Sequence, residues 1–226
     1  MTYMMVGVQP EAIEVDPSTP RVLIILGSIL EGLMARNERL LESGGLSPSS
    51  GLVGVSTTGQ AQELGTNLNV FHGVRAPSIS IGKYLERLYK YVNCSPSCFV
   101  VGYVYIDRLL HKHPEMLICS LNVHRLLVTS LLIASKMLDD VQYNNAFYAR
   151  VGGVSNVELN RLELELLFLL DFEVMVSSPA FESYCWHLEK EMIRRDVATR
   201  IDKKAPEPYV TDDVNGVSVE EAEGIA

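Results

Sequence analysis

The sequence predicts an all-α fold, and three observations carry that prediction. Apolar residues recur at i, i+3, i+4 and i+7 over one stretch after another. The breaks between these stretches carry helix punctuation, with a hydroxyl residue before proline at Thr19-Pro20, Ser95-Pro96 and Ser178-Pro179, and a glycine stop at Gly152-Gly153. No alternating pattern long enough for a convincing strand appears. The stretch Asn122 to Asp140 organises the rest. Its leucines, valines and isoleucines fall on every side of a helix, separated only by small residues such as Thr129, Ser130, Ala134 and Ser135. A helix apolar all round must be enclosed, and this one falls short of the roughly 20 apolar residues that span a bilayer. It is expected to be the central helix of a bundle. Lys136 near its end suits the helix dipole, whereas Asp139 and Asp140 there cost about 0.3 to 1 kcal/mol each. Taken alone, that charge cluster reads as a solvated terminus.

The other elements follow in order. Residues 1–18, with Pro10 and Pro17, are expected to be flexible. Thr19-Pro20 opens an amphipathic helix over 19–42, with Leu26, Ile29, Leu30, Leu33, Leu40 and Leu41 on one side and Glu31, Arg36, Glu38 and Arg39 on the other. Residues 43–70 fall to Gly, Ser, Thr and Gln and predict a loop. Ile79, Ile81, Tyr84, Leu85, Leu88 and Val92 form the next helical stripe, with Lys83, Glu86, Arg87 and Lys90 outside. Ser95-Pro96 starts a helix through Phe99, Val100, Tyr103, Val104, Ile106, Leu109 and Leu110, which stops at His113-Pro114. After the central helix comes a short one, Asn144 to Arg150. Ser155 and Glu158 have capping-box spacing, in which hydroxyl and carboxylate satisfy each other's N–H groups. They open a leucine-rich helix to Phe172, with Glu163 and Glu165 embedded in it. Ser178-Pro179 starts a last helix, ending near Arg195. Residues 196–226 are polar and acidic and are expected to form a disordered tail.

Composition narrows the function. A 226-residue chain with 47% hydrophobic residues supports one domain with tails. The formal net charge of −9 argues against a nucleic-acid partner. The N-terminus lacks the basic region of a secretory signal, so the Asn93-Cys94-Ser95 sequon carries no weight and the nucleus or cytoplasm is the expected compartment. Cys94, Cys98, Cys119 and Cys185 read as reduced core thiols. Cys94 and Cys98 lie one helical turn apart, but no second pair completes a zinc site, and no metal or cofactor is expected. His111 and His113 read as surface histidines before a proline. No phosphate-binding glycine loop or nucleophile elbow occurs, so an enzyme with a small-molecule substrate is not indicated. Lys136 and Glu163 remain, each bordered by leucines and costly to bury unpaired. They form either an internal ion pair that fixes helix register or a surface pair that grips a partner. The residues alone leave both open.

The motifs I-A-S-K-M-L-D-D, N-x-x-Y-A-R-V-G-G-V-S-x-x-E-L-N-R-L-E and L-L-D-F resemble a cyclin box, and C-S-P-S-C-F-V-V-G-Y-V-Y-I-D-R (94–108) resembles the plant U-type, or P-type, cyclins. These are similar to the phosphate-responsive cyclins of yeast. The resemblance covers about residues 20–42 and 71–190. It implies a single five-helix box over 71–176, the helix at 19–42 and a C-terminal helix at 177–195 flanking it. It also implies a non-catalytic regulatory subunit of a cyclin-dependent protein kinase, acting in cell division or phosphate signalling. By the same resemblance Lys136 and Glu163 hold the kinase around its C-helix, with Met137, Leu167, Phe172 and Val174 as apolar contacts, and Asp107 ties helices internally. Where many cell-cycle cyclins carry M-R-A-I-L as a docking patch, this chain reads S-I-S-I-G (78–82), and no second box follows. A cyclin-fold adaptor for another partner and a bundle holding a small apolar ligand are the alternatives.

Overall fold

The computed structural model describes residues 19–43, 68–140 and 143–202, with the side chains of Leu68 and 195–202 left aside. Within them the chain is entirely helical: α1 (Arg21–Ser43), a 3-10 turn (Leu68–Phe71), α2 (Ile81–Val92), α3 (Pro96–Lys112), α4 (Val123–Leu138), α5 (Asn145–Gly152), α6 (Asn156–Leu169) and α7 (Ser178–Asp202). Five helices, α2 to α6, make the box, and α1 and α7 flank it. The expectations for 1–18, for most of 43–70 and for the end of the tail lie outside the described residues.

The chain divides into two units at residue 193. In the first, α4 is the axis, packed by α2, α3, α5, α6 and the 3-10 turn. Every residue from Val123 to Ser135 except Arg125 is buried, as a helix without a polar face requires. The last turn then emerges, leaving Lys136, Met137 and Leu138 exposed. The described part of the second unit is the end of α7, Ile193–Asp202. Residues 196–202, expected in the tail, are therefore helical, since no proline or glycine interrupts the chain before Pro206.

Several punctuation marks act as expected. Gly153 caps α5 in the left-handed region at φ 74°, and a Cβ on Gly152 would sit 2.6 Å from Val128 Cγ2, so the pair serves both the turn and the approach of α5 to α4. The Ser80 and Ser155 hydroxyls accept from Lys83 N–H and Glu158 N–H. Two devices differ. The Ser95 hydroxyl makes no cap and lies 3.4 Å from Cys98 Sγ. The Glu158 carboxylate accepts from Arg125 Nε at 2.7 Å, so the capping box is used on its serine side.

Glu38, Arg87 and His113, expected on outer faces, prove to be ties. The Glu38 carboxylate accepts from Ser120 N–H, and Asn37 donates to the Ile118 carbonyl, which docks α1 on the loop before α4. Leu40, expected on the docked stripe, is exposed. Arg87 and Tyr84 donate to the Val151 and Gly152 carbonyls, closing α2 onto the end of α5. His113 is mostly covered, with Nε2 3.1 Å from the Leu169 carbonyl, whereas His111 is exposed. Asp107 accepts from Tyr184 Oη at 2.6 Å, joining α3 to α7.

His124 is buried edge-on to the Tyr84 ring, at 4.8 Å between centroids. Its Nε2 donates to the Ile79 carbonyl at 3.0 Å, the carbonyl being an acceptor only, and its buried Nδ1 has no hydrogen-bond partner among the described residues. Burial pushes this histidine below its usual value of 6.5; the Ile79 bond opposes that and Arg125 adds to it. Above 6.5 the neutral ring leaves stability intact. As pH falls below 6.5 the unfolded chain takes a proton that the fold resists, and stability drops by at most about 1.4 kcal/mol per pH unit for this group. A thermal melt at pH 5.5 is expected below that at pH 7.5, and His124→Gln should narrow the gap. An unchanged gap would show that other groups set it.

Candidate partner-binding site

Two of the site residues predicted from the sequence, Lys136 and Glu163, meet where α4 leaves the core. α6 buries Leu159, Leu162, Leu166 and Leu169 against α4, which sets Glu163 at the edge of the contact. Lys136 Nζ meets Glu163 Oε1 at 2.6 Å, with side chains 35% and 14% exposed. Asn145, the first residue of α5, donates to Glu163 Oε2 at 2.7 Å and to Asn160 Oδ1 at 2.8 Å. Both carboxylate oxygens are thus engaged, and α4, α5 and α6 are joined at one point. Charge-assisted bonds of this length belong to the stronger class. Of the two readings left open by the sequence, the structure shows the internal ion pair, placed at the surface rather than sealed in the core. The lysine is the accessible partner and the glutamate the covered one.

Apolar side chains are also exposed at the end of α4, on α6 and on the turn after it. Met137 and Phe172, two of the apolar contacts the resemblance implies, are exposed, the latter at 55%. Leu167 and Val174 are only half-buried and pack against the core, so part of each serves the fold. Three exposed residues were not anticipated: Leu138, and Leu164 and Phe168 on α6. Leu164 and Phe168 fall one turn apart and off the stripe 159, 162, 166, 169 that the structure buries. Phe168 and Phe172 meet edge to face with centroids 5.1 Å apart.

The turn that presents Phe172 is held in place. Asp171 and Phe172 both adopt left-handed backbone, φ 52° and 58°, a conformation that non-glycine residues seldom take. Phe172 N–H donates to the Leu167 carbonyl. From α3, Lys112 pairs with Asp171 at 2.7 Å and Glu173 at 3.1 Å, Arg108 donates to the Glu173 and Met175 carbonyls, and Tyr105 Oη donates to the Val174 carbonyl. Lys112 holds the Asp171 carboxyl below the usual carboxylate range.

A family model described as Cyclin matches residues 26–174, from within α1 to the last of the site residues. The chain belongs to the cyclin family. It is 60% identical over 186 residues to Cyclin-U1-1 of Arabidopsis thaliana, covering 82% of this chain and 80% of that protein. Cyclin-P3-1 of Oryza sativa subsp. japonica is 48% identical over 172 residues, with 76% and 65% covered, and Cyclin-U4-1 of Arabidopsis thaliana is 49% identical over 173 residues, with 76% and 79% covered. The resemblance to plant U-type and P-type cyclins is therefore borne out, as is the all-α box. This cyclin is a non-catalytic regulatory protein. No helix among the described residues is long and apolar enough to cross a membrane.

If the pair forms in solution as it does here, Lys136→Met and Glu163→Gln should not act independently. Urea unfolding of both single variants and the double variant should give a coupling of about 0.5–1 kcal/mol. Additive effects would mean that the two side chains do not meet.

Proposed function

We propose that this cyclin binds and activates a cyclin-dependent protein kinase through the end of α4 and the outer face of α6. The observation that supports it best is a lysine–glutamate pair, fixed on three helices, beside exposed Met137, Leu164, Phe168 and Phe172. Such charges fix orientation and partner choice, while neighbouring apolar and aromatic side chains supply affinity. A protein kinase is active only when the lysine of its third strand pairs with the glutamate of its C-helix. A preformed helical face that fits the active position of that helix shifts the kinase population toward it. Lys136 presents its exposed side to the partner, and Glu163 holds the lysine head in place. Leu167 and Val174, half-buried against the core, add their uncovered parts to the contact. Cell division or phosphate signalling is the process this reading assigns, in the nucleus or cytoplasm, where such kinases act.

Exchanging the two charges tests the proposal without breaking the internal pair. A chain carrying Lys136→Glu and Glu163→Lys keeps opposite charges together but loses the Asn145 bond, since lysine accepts none, so it should keep its helical signal with a lowered melting temperature. It should fail to capture the kinase that the parent captures from the native source. Equal capture by the exchanged chain would remove Lys136 and Glu163 from the interface.

A further inference from the structure

Cysteine spacing alone predicts no zinc site, because Cys94 and Cys98 have no second pair. The fold brings in a third donor that spacing cannot reveal. Asp139 caps α4, and its carboxylate turns to the two thiols at the start of α3. One donor atom from each of Cys94, Cys98 and Asp139 lies within 4.8 Å of the others. Cys98 Sγ donates to Asp139 Oδ2 at 3.3 Å. Both cysteines are buried, and Asp139 is half-buried, which leaves an approach from its side. It is the one group of three such side chains that converges this closely among the described residues.

We propose that Cys94, Cys98 and Asp139 form a zinc-binding site, with two thiolates and one carboxylate as ligands and water in the fourth position on the Asp139 side. Tetrahedral zinc, with bonds of about 2.3 Å to sulfur and about 2.0–2.2 Å to oxygen, spaces its ligand atoms about 3.5–3.8 Å apart. The observed cluster reaches that spacing with small side-chain movements. Thiolates favour zinc over magnesium or calcium, which take oxygen ligands. Two thiolates and a carboxylate around a dication leave one net negative charge, and the N-terminus of α3, whose first turn holds Cys98, offsets part of it.

The hydrogen bond to Cys98 and burial push the Cys94 thiol up, and that bond pushes the Cys98 thiol down. Zinc binding releases the thiol protons to solvent, so affinity rises with pH. The ion would join the α2–α3 connection, the first turn of α3 and the end of α4, three residues beyond Lys136. The site does not depend on the kinase reading, since the isolated chain is enough to test it.

The experiment uses the full chain, reduced and stripped of metal, titrated with zinc ions against a chromophoric chelator and separately with cobalt(II). One zinc per chain, a higher melting temperature with zinc, and a near-ultraviolet thiolate-to-cobalt band are expected. Second-shell changes already weaken metal sites about 10–100-fold, so Asp139→Asn should lower affinity at least about tenfold. Cys94→Ser and Cys98→Ser should each remove the cobalt band. Asp139→Asn leaves both thiols in place and guards against misreading a variant that fails to fold. Zinc binding that is equal in all three variants would locate the ion elsewhere and overturn the proposal. So would the absence of a cobalt band in the parent, or a Cys94–Cys98 disulfide that persists under the reducing conditions used.

Discussion

Enclosing α4 is the constraint on which the other elements depend. A helix with apolar side chains on every side loses about 1.5–3 kcal/mol for each large one left in water, so it needs neighbours all round. α2, α3, α5, α6 and the 3-10 turn supply them. The enclosure stops at Ser135, and the change is abrupt: Lys136, Met137 and Leu138 are exposed within one turn of a fully buried Ala134. That turn is anchored by the most completely packed helix in the fold, which is why side chains there can be both accessible and fixed. Asp139, the next residue, is tied back to α3 through the Cys98 thiol.

The ion pair at this turn has a value that stability alone does not explain. Lys136 is one-third exposed, and pairs in that setting contribute little to folding. Glu163 is different, because most of its side chain is covered and its two oxygens are divided between Lys136 and Asn145. A covered carboxylate that lost both donors would be left as an uncompensated charge, which is far costlier than the pair is favourable. The arrangement therefore imposes geometry on the lysine more than it strengthens the bundle.

Much of this was readable in the chain because it follows from short-range rules. The stripes of α2 and α3, the stop at His113-Pro114 and the turn at Gly152-Gly153 need only periodicity and backbone sterics. What was missed involves partners distant in sequence. Glu38, Arg87 and His113 looked like surface residues because their acceptors and donors, Ser120, Val151 and Leu169, come from other helices or loops. Glu158 had the right spacing for a reciprocal cap, but Arg125 lies 33 positions away and takes the carboxylate. Asn145 could not be connected to Glu163 before α5 and α6 were placed side by side. Leu164 and Phe168 were hidden differently: in a leucine-rich helix a second apolar face reads as more core until the neighbours are known.

The outward face of α6 shows why that distinction matters. An isolated exposed leucine is ordinary, since much of any protein surface is apolar. Leu164 and Phe168 are not isolated, for Phe168 meets Phe172, and the turn bearing Phe172 is drawn to the end of α3 by Lys112, Arg108 and Tyr105. Two successive left-handed residues, Asp171 and Phe172, are disfavoured conformations that persist only when their surroundings hold them. The clamp keeps an aromatic side chain exposed at a set position, so its placement follows from the α3 ties rather than from packing into the core.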